Sequence, residues 1–177
     1  NTDVITLNGS YRMDYVSNST WHSFLVGKYD RAFEKDNEDF SNTGFFHLRV
    51  IKPFNNISYI ESFIQKEFNH FIDLKNRELA GIGLRFKPGN QFFAGIGIMN
   101  EIEMYEENQN QQFIKSTNYI NYSFQFMNQI SIQNTFYYQF QLESIGNYRL
   151  LWDGKLSFKG SDIFSMYINC HYRYDIS

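Results

Sequence analysis

The chain has 177 residues, 19% of them aromatic, with two prolines, one cysteine and a formal charge of −3. That length suits a single domain over residues 1–177, the charge excludes general attraction to nucleic acid, and a lone cysteine, Cys170, excludes an internal disulfide. No run approaches the roughly 20 apolar residues that a membrane helix needs. The mean hydropathy is negative, at −0.47, which still suits a transmembrane barrel, where only alternate residues touch lipid.

The elements read as strands from end to end. Residues 4–16 alternate, with Ile5, Leu7, Tyr11, Met13 and Tyr15 against Thr6, Asn8, Arg12 and Asp14. In a strand successive side chains point to opposite faces, so a period of two is a strand signal. A turn at 17–20 leads to a second strand, 21–33, in which Phe24 and Val26 compete with Leu25 and Tyr29, so its facing is open. A charged loop over 34–42 precedes a third strand, 43–52, with Phe46, Leu48 and Val50 opposite His47 and Arg49.

The strongest pattern spans residues 59–86 and 91–105. Ile60, Ile64, Phe68, Ala80, Ile82, Leu84, Phe86, Phe92, Ala94, Ile96 and Ile98 share one face, and Glu61, Gln65, Glu67, Arg77, Arg85, Glu101 and Glu103 the other. We read three long antiparallel strands there, with the connection between the first two at 73–76 and Lys66 as a charged exception on the apolar side. Four further strands follow at about 113–127, 129–143, 148–159 and 163–175. Each sets aromatic and aliphatic residues against residues such as Lys115, Gln139, Arg149, Lys155, His171 and Arg173.

Ten strands, most of 12 or more residues, are too long for an ordinary soluble sheet, where strands average about five or six. Crossing a membrane at a tilt takes about 9–11 residues in the hydrocarbon alone. Connections after the odd strands (17–20, 53–56, 87–90, 127–128, 160–162) read as short. Those after the even strands (34–42, 73–76, 106–112, 144–147) read as longer or more polar, the asymmetry of an outer-membrane barrel. The fold expected is an all-β, antiparallel transmembrane β-barrel. With even strands ending outside, the intact protein is expected to carry one further strand at each end, 12 in all, consistent with a chain whose ends are trimmed and which shows no signal peptide.

The apolar face is expected in lipid and the charged face inside. Tyr15, Tyr105, Tyr119, Tyr148, Trp152 and Tyr174 are read as interfacial rings. Arg12, Glu61, Glu67, Arg77, Arg85, Glu101, Glu103, Lys115 and Arg173 are read as a structural polar network in the lumen. About 12 strands fall between barrels filled by side chains and those with an aqueous channel. Gly81, Gly83, Gly95 and Gly97 are read as relief for large neighbours, since G-I-G without a strand–loop–helix context is no nucleotide loop.

The four histidines, His22, His47, His70 and His171, show no metal-ligand spacing, so neither a metal nor another cofactor is expected. The one same-face set that could serve a hydrolase is His171 with Ser165 or Asp175.

The central stretch resembles a bacterial outer-membrane family described as salt-induced outer-membrane proteins, a domain of unknown function. The resemblance is carried by Glu61, Phe63, Glu67, Phe71, Leu74, Arg77, Gly81, Gly83, Gly95 and Gly97, and by HYRYD at 171–175. It implies a barrel in the bacterial outer membrane and no particular activity. The reading favoured is a non-catalytic structural or accessory subunit, with membrane lipid and other envelope proteins as partners. A small-solute channel is the alternative, and an outer-membrane hydrolase a more distant one.

Overall fold

Ten strands follow one another in a computed structural model that describes residues 4–17, 21–34, 39–105, 110–126, 129–160 and 164–176. They are β1 (Val4–Val16), β2 (His22–Glu34), β3 (Asp39–Pro53), β4 (Ser58–Asn69), β5 (Leu74–Phe86), β6 (Phe92–Tyr105), β7 (Asn110–Phe126), β8 (Ile130–Gln141), β9 (Tyr148–Lys159) and β10 (Ser165–Ile176). They form one sheet in sequence order, β1 to β10. Such an order is the natural outcome of short connections, which can join antiparallel neighbours but not parallel ones. The order has ends. β1 pairs with β2 and β10 with β9, and no β1–β10 pairing is present among the described residues, so strand pairing does not display the expected closed cylinder.

The expected turn positions 18–20, 35–38, 106–109, 127–128 and 161–163 lie outside the described residues. The expected contrast between short and long connections is corrected. β3 begins at Asp39 and β7 at Asn110, so the two connections expected to be longest span 35–38 and 106–109. Residues 39–42, Asp-Phe-Ser-Asn, hold a single apolar side chain and so show no alternation that marks a strand. Pairing is made by backbone groups, and Asn42, Ser41 and Asp39 oppose Arg31, Ala32 and Phe33 across a bulge at Ala32/Phe33. The connection after β4 also moves, from 73–76 to a 3₁₀ turn at His70–Ile72. Asn69 accepts from the Phe71 N–H at 3.0 Å, and Asp73 turns the chain at a φ of 55°, a left-handed conformation that Asp tolerates better than most residues. At the β3–β4 turn Asn55 Oδ1 accepts from the N–H of Ile57 and of Ser58, at 3.0 and 2.7 Å.

The strands divide into two compact units. The first comprises Asn1–Pro53, Glu61–Ile82 and Met99–Phe113; the second comprises Phe54–Ile60, Gly83–Ile98 and Ile114–Ser177. In each, the apolar face is the exposed one. Ile64 and Ile82 in the first unit are 48% and 54% exposed, and Ile96 and Phe124 in the second 56% and 37%. Charged residues lie on the protected face: Glu61, Arg77, Glu101 and Glu103 in the first unit and Lys115 and Arg149 in the second are buried. The polarity is thus the reverse of a soluble sheet, where burial falls to the apolar side.

The facing of β2 is now set. Leu25 opposes Met13 and Tyr29 opposes Gly9 on the apolar side, while Phe24 lies with His47 on the protected side, ring centroids 5.8 Å apart. Tyr105 and Tyr119, expected as interfacial rings, are corrected. Both fall on the parity of Glu103 and Lys115 and bond to charged side chains, because a phenol is also a hydrogen-bonding partner for buried charge.

Candidate functional site: a buried ion-pair belt

Alternation places Glu61, Phe63, Gln65 and Glu67 of β4 on one side of the first unit, with Arg77 and Leu79 of β5 and Met99, Glu101, Glu103 and Tyr105 of β6. Arg77 is the hub. Its Nε donates to Glu101 Oε1 at 2.6 Å, its Nη1 donates to Glu67 Oε1 at 2.6 Å, and Glu103 Oε1 lies 3.2 Å from Nε. The Arg77 side chain is 6% exposed and that of Glu101 0%. A guanidinium has five donors in a planar fork, which lets one residue serve three carboxylates.

The belt extends to both sides. Gln65 Nε2 donates to Glu67 Oε2 at 3.1 Å. His47 Nδ1 lies 3.0 Å from Gln65 Oε1, which requires the Nδ1–H tautomer. Tyr105 donates its hydroxyl proton to Glu103 Oε2 at 3.1 Å. Side chains from β3, β4, β5 and β6 therefore form one hydrogen-bonded chain. Beside it Phe63, Leu79 and Met99 make an apolar cluster on the same face, and Arg49 pairs with Glu61 at 3.4 Å with its guanidinium 5.1 Å from the Phe63 ring centre. This mixture fills space. The apolar cluster lowers the local dielectric, which strengthens a satisfied ion pair and penalises an unsatisfied one.

The expected network residues are distributed as follows. Glu67, Arg77, Glu101 and Glu103 meet. Glu61 joins Arg49 instead. Arg85, in the second unit, donates from Nε to the Tyr119 hydroxyl at 2.7 Å and lies 4.7 Å from the Phe93 ring centre. Lys115 is buried in β7. Arg12 and Arg173, on the end strands, bind Asp14 at 2.7 Å and Asp175 at 2.6 Å; each is a short-range pair on an exposed strand. Parity put His47, Arg49 and Gln65 on the right face, but no sequence signal tied them to Arg77. Lys66 finds its counter-charge in Glu78, 2.9 Å away, which also accepts from Asn76 at 3.1 Å.

Gly95 carries the Tyr119 ring. A Cβ there would lie 2.2 Å from a ring carbon, so glycine is what lets the phenol reach Arg85. The hydrolase set does not assemble. His171 Nδ1 bonds Asp153 at 2.7 Å, Asp175 holds Arg149 and Arg173, and Ser165 is six positions along β10 from His171, about 20 Å at strand rise.

An antiparallel meander with exposed aliphatic and aromatic residues on one face and buried ion pairs on the other is the architecture of a β-barrel membrane protein. The chain belongs to the family described as "Protein of unknown function, DUF481", which matches residues 1–177; that description carries no function and does not mention salt induction. Among solved structures it is similar to "KdgM porin", at 13% identity and a TM-score of 0.51, over 96% of this chain and 91% of that one. It is also similar to "KdgM porin in complex with disordered oligogalacturonate", at 13% identity and a TM-score of 0.50, with the same coverage. At that identity the likeness is one of fold. No curated protein matches the chain.

Proposed function

We propose that the protein is an integral β-barrel of the bacterial outer membrane that acts without catalysis, as a structural or accessory subunit of a larger envelope assembly. The observation that carries membrane residence is the reversed polarity: Ile82 is 54% exposed while Glu101 is 0% exposed. Exposed apolar surface of that extent is costly in water and favourable in lipid. The belt in which Glu67, Glu101 and Glu103 all contact Arg77 supports a supporting rather than a transporting role. Its charges are engaged with one another, and with Phe63, Leu79 and Met99 they occupy the protected face of the first unit.

A second reading is a small-solute channel. It is favoured by the exposed polar face of β9 and β10, where Lys155, His171 and Arg173 are open, and by the fold shared with a porin. Planar-bilayer recording of the purified chain separates the two. The subunit reading expects no stable unitary conductance and co-purification with envelope proteins from native membranes in mild detergent. Reproducible conductance steps, together with recovery as a lone monomer, would refute it in favour of the channel.

A further inference from the structure

The apolar face of the second unit is not smooth. Ile120, Phe136, Trp152 and Tyr172 are successive cross-strand partners in one row, with the Phe136 and Trp152 rings stacked at 6.0 Å and 7°. In the next row Asn118 opposes Tyr138. Beside these large residues β6 contributes only Ala94 and Gly95, and a cavity of about 490 Å³ opens between them. That is the size of an ordinary small-ligand site. Its aromatic wall is held in place, since Trp152 donates its indole N–H to Asn134 Oδ1 at 3.0 Å.

Asn118 brings the one side-chain amide to a lining otherwise made of aliphatic and aromatic residues, four of them tyrosines. The Asn118 amide nitrogen donates to Ser116 Oγ at 3.0 Å and to the Tyr138 carbonyl at 3.2 Å, so both of its protons are used. Its carbonyl oxygen carries no donor among the described residues. An amide oxygen on a lipid-facing wall without a donor is disfavoured, because nothing in hydrocarbon replaces water. The largely apolar lining therefore suits a hydrocarbon chain, and the amide oxygen one hydroxyl. Resting on the membrane residence proposed above, we propose that this cavity binds the acyl chain of a membrane lipid that bears a hydroxyl group, the hydroxyl donating to Asn118 Oδ1.

The experiment has two stages, so that failure of the two readings can be told apart. The full chain is first reconstituted into phosphatidylcholine bilayers and challenged with urea; extraction by urea counts against membrane residence itself. The inserted protein is then loaded with 12-hydroxyoctadecanoate or octadecanoate, and the retained probe is counted by native mass spectrometry from mild detergent. We expect the hydroxylated probe to be retained about five- to tenfold more tightly, the worth of one hydrogen bond. Asn118→Leu should abolish that preference while octadecanoate still binds, and Ala94→Phe should fill the cavity and abolish both. Equal retention of the two probes by the natural chain would overturn the proposal whatever the variants do. So would a preference that survives Asn118→Leu, or a dimer mass showing a second copy seated there that neither probe displaces. If Asn118→Leu fails to fold, Asn118→Ala makes the same test.

Discussion

Arg77→Met is the sharpest test of the belt. The methionine keeps much of the apolar stem and removes the guanidinium, leaving Glu67, Glu101 and Glu103 facing one another in a site where Arg77 is 5% and Glu101 0% exposed. Each guanidinium–carboxylate contact is worth about 4 kcal/mol at an effective dielectric near 20, but desolvation and repulsion among the three acids offset much of the sum. Breaking a buried pair by removing one partner costs about 3–5 kcal/mol, and that is the loss expected here. Glu101→Gln keeps the shape and removes one of three acids, for about 1–3 kcal/mol. The double variant should be less destabilised than the two single losses added, by at least about 1 kcal/mol, since fewer orphan charges remain. Urea unfolding in mild detergent, followed by tryptophan fluorescence, measures all three. An Arg77→Met loss below about 1 kcal/mol, or strict additivity, would refute the idea that Arg77 is the hub that satisfies these carboxylates.

Three further outcomes are expected. Ile96→Lys, on the exposed apolar face of β6, should cost about 2–4 kcal/mol in bilayers if that face meets lipid, whereas a change within about 0.5 kcal/mol, as at an ordinary wet surface, would count against the membrane. Gly95→Leu should lose about 1–3 kcal/mol by overpacking, because its Cβ would enter the Tyr119 ring; Tyr119→Ala in the same chain should recover part of the loss in thermal melts. Lys66→Met should leave Glu78, 2.9 Å away on the same apolar side, without its counter-charge and cost about 1–3 kcal/mol in bilayers, whereas a loss under about 0.5 kcal/mol, as for an exposed pair in water, would count against lipid on that side.

Alternation along the chain was enough to establish ten strands and which face of most of them is greasy, because a period of two follows from covalent geometry at each residue and needs no partner. It was enough to put Glu67, Arg77, Glu101 and Glu103 on a common side. It failed at β2, where apolar residues occur at both parities, and at 39–42 and 110–112, where mostly polar residues extend the strands beyond the alternating span. Which charges meet was decided only by tertiary structure. Parity says nothing about register, and it is register that brings β4, β5 and β6 together so that Arg77 reaches three acids, turns Glu61 toward Arg49, brings Glu78 to Lys66, and leaves Arg12 and Arg173 with the aspartates two places along their own strands. The division has one physical cause: a side chain's direction is local, whereas its neighbour across a strand is chosen by backbone pairing and packing over the whole sheet.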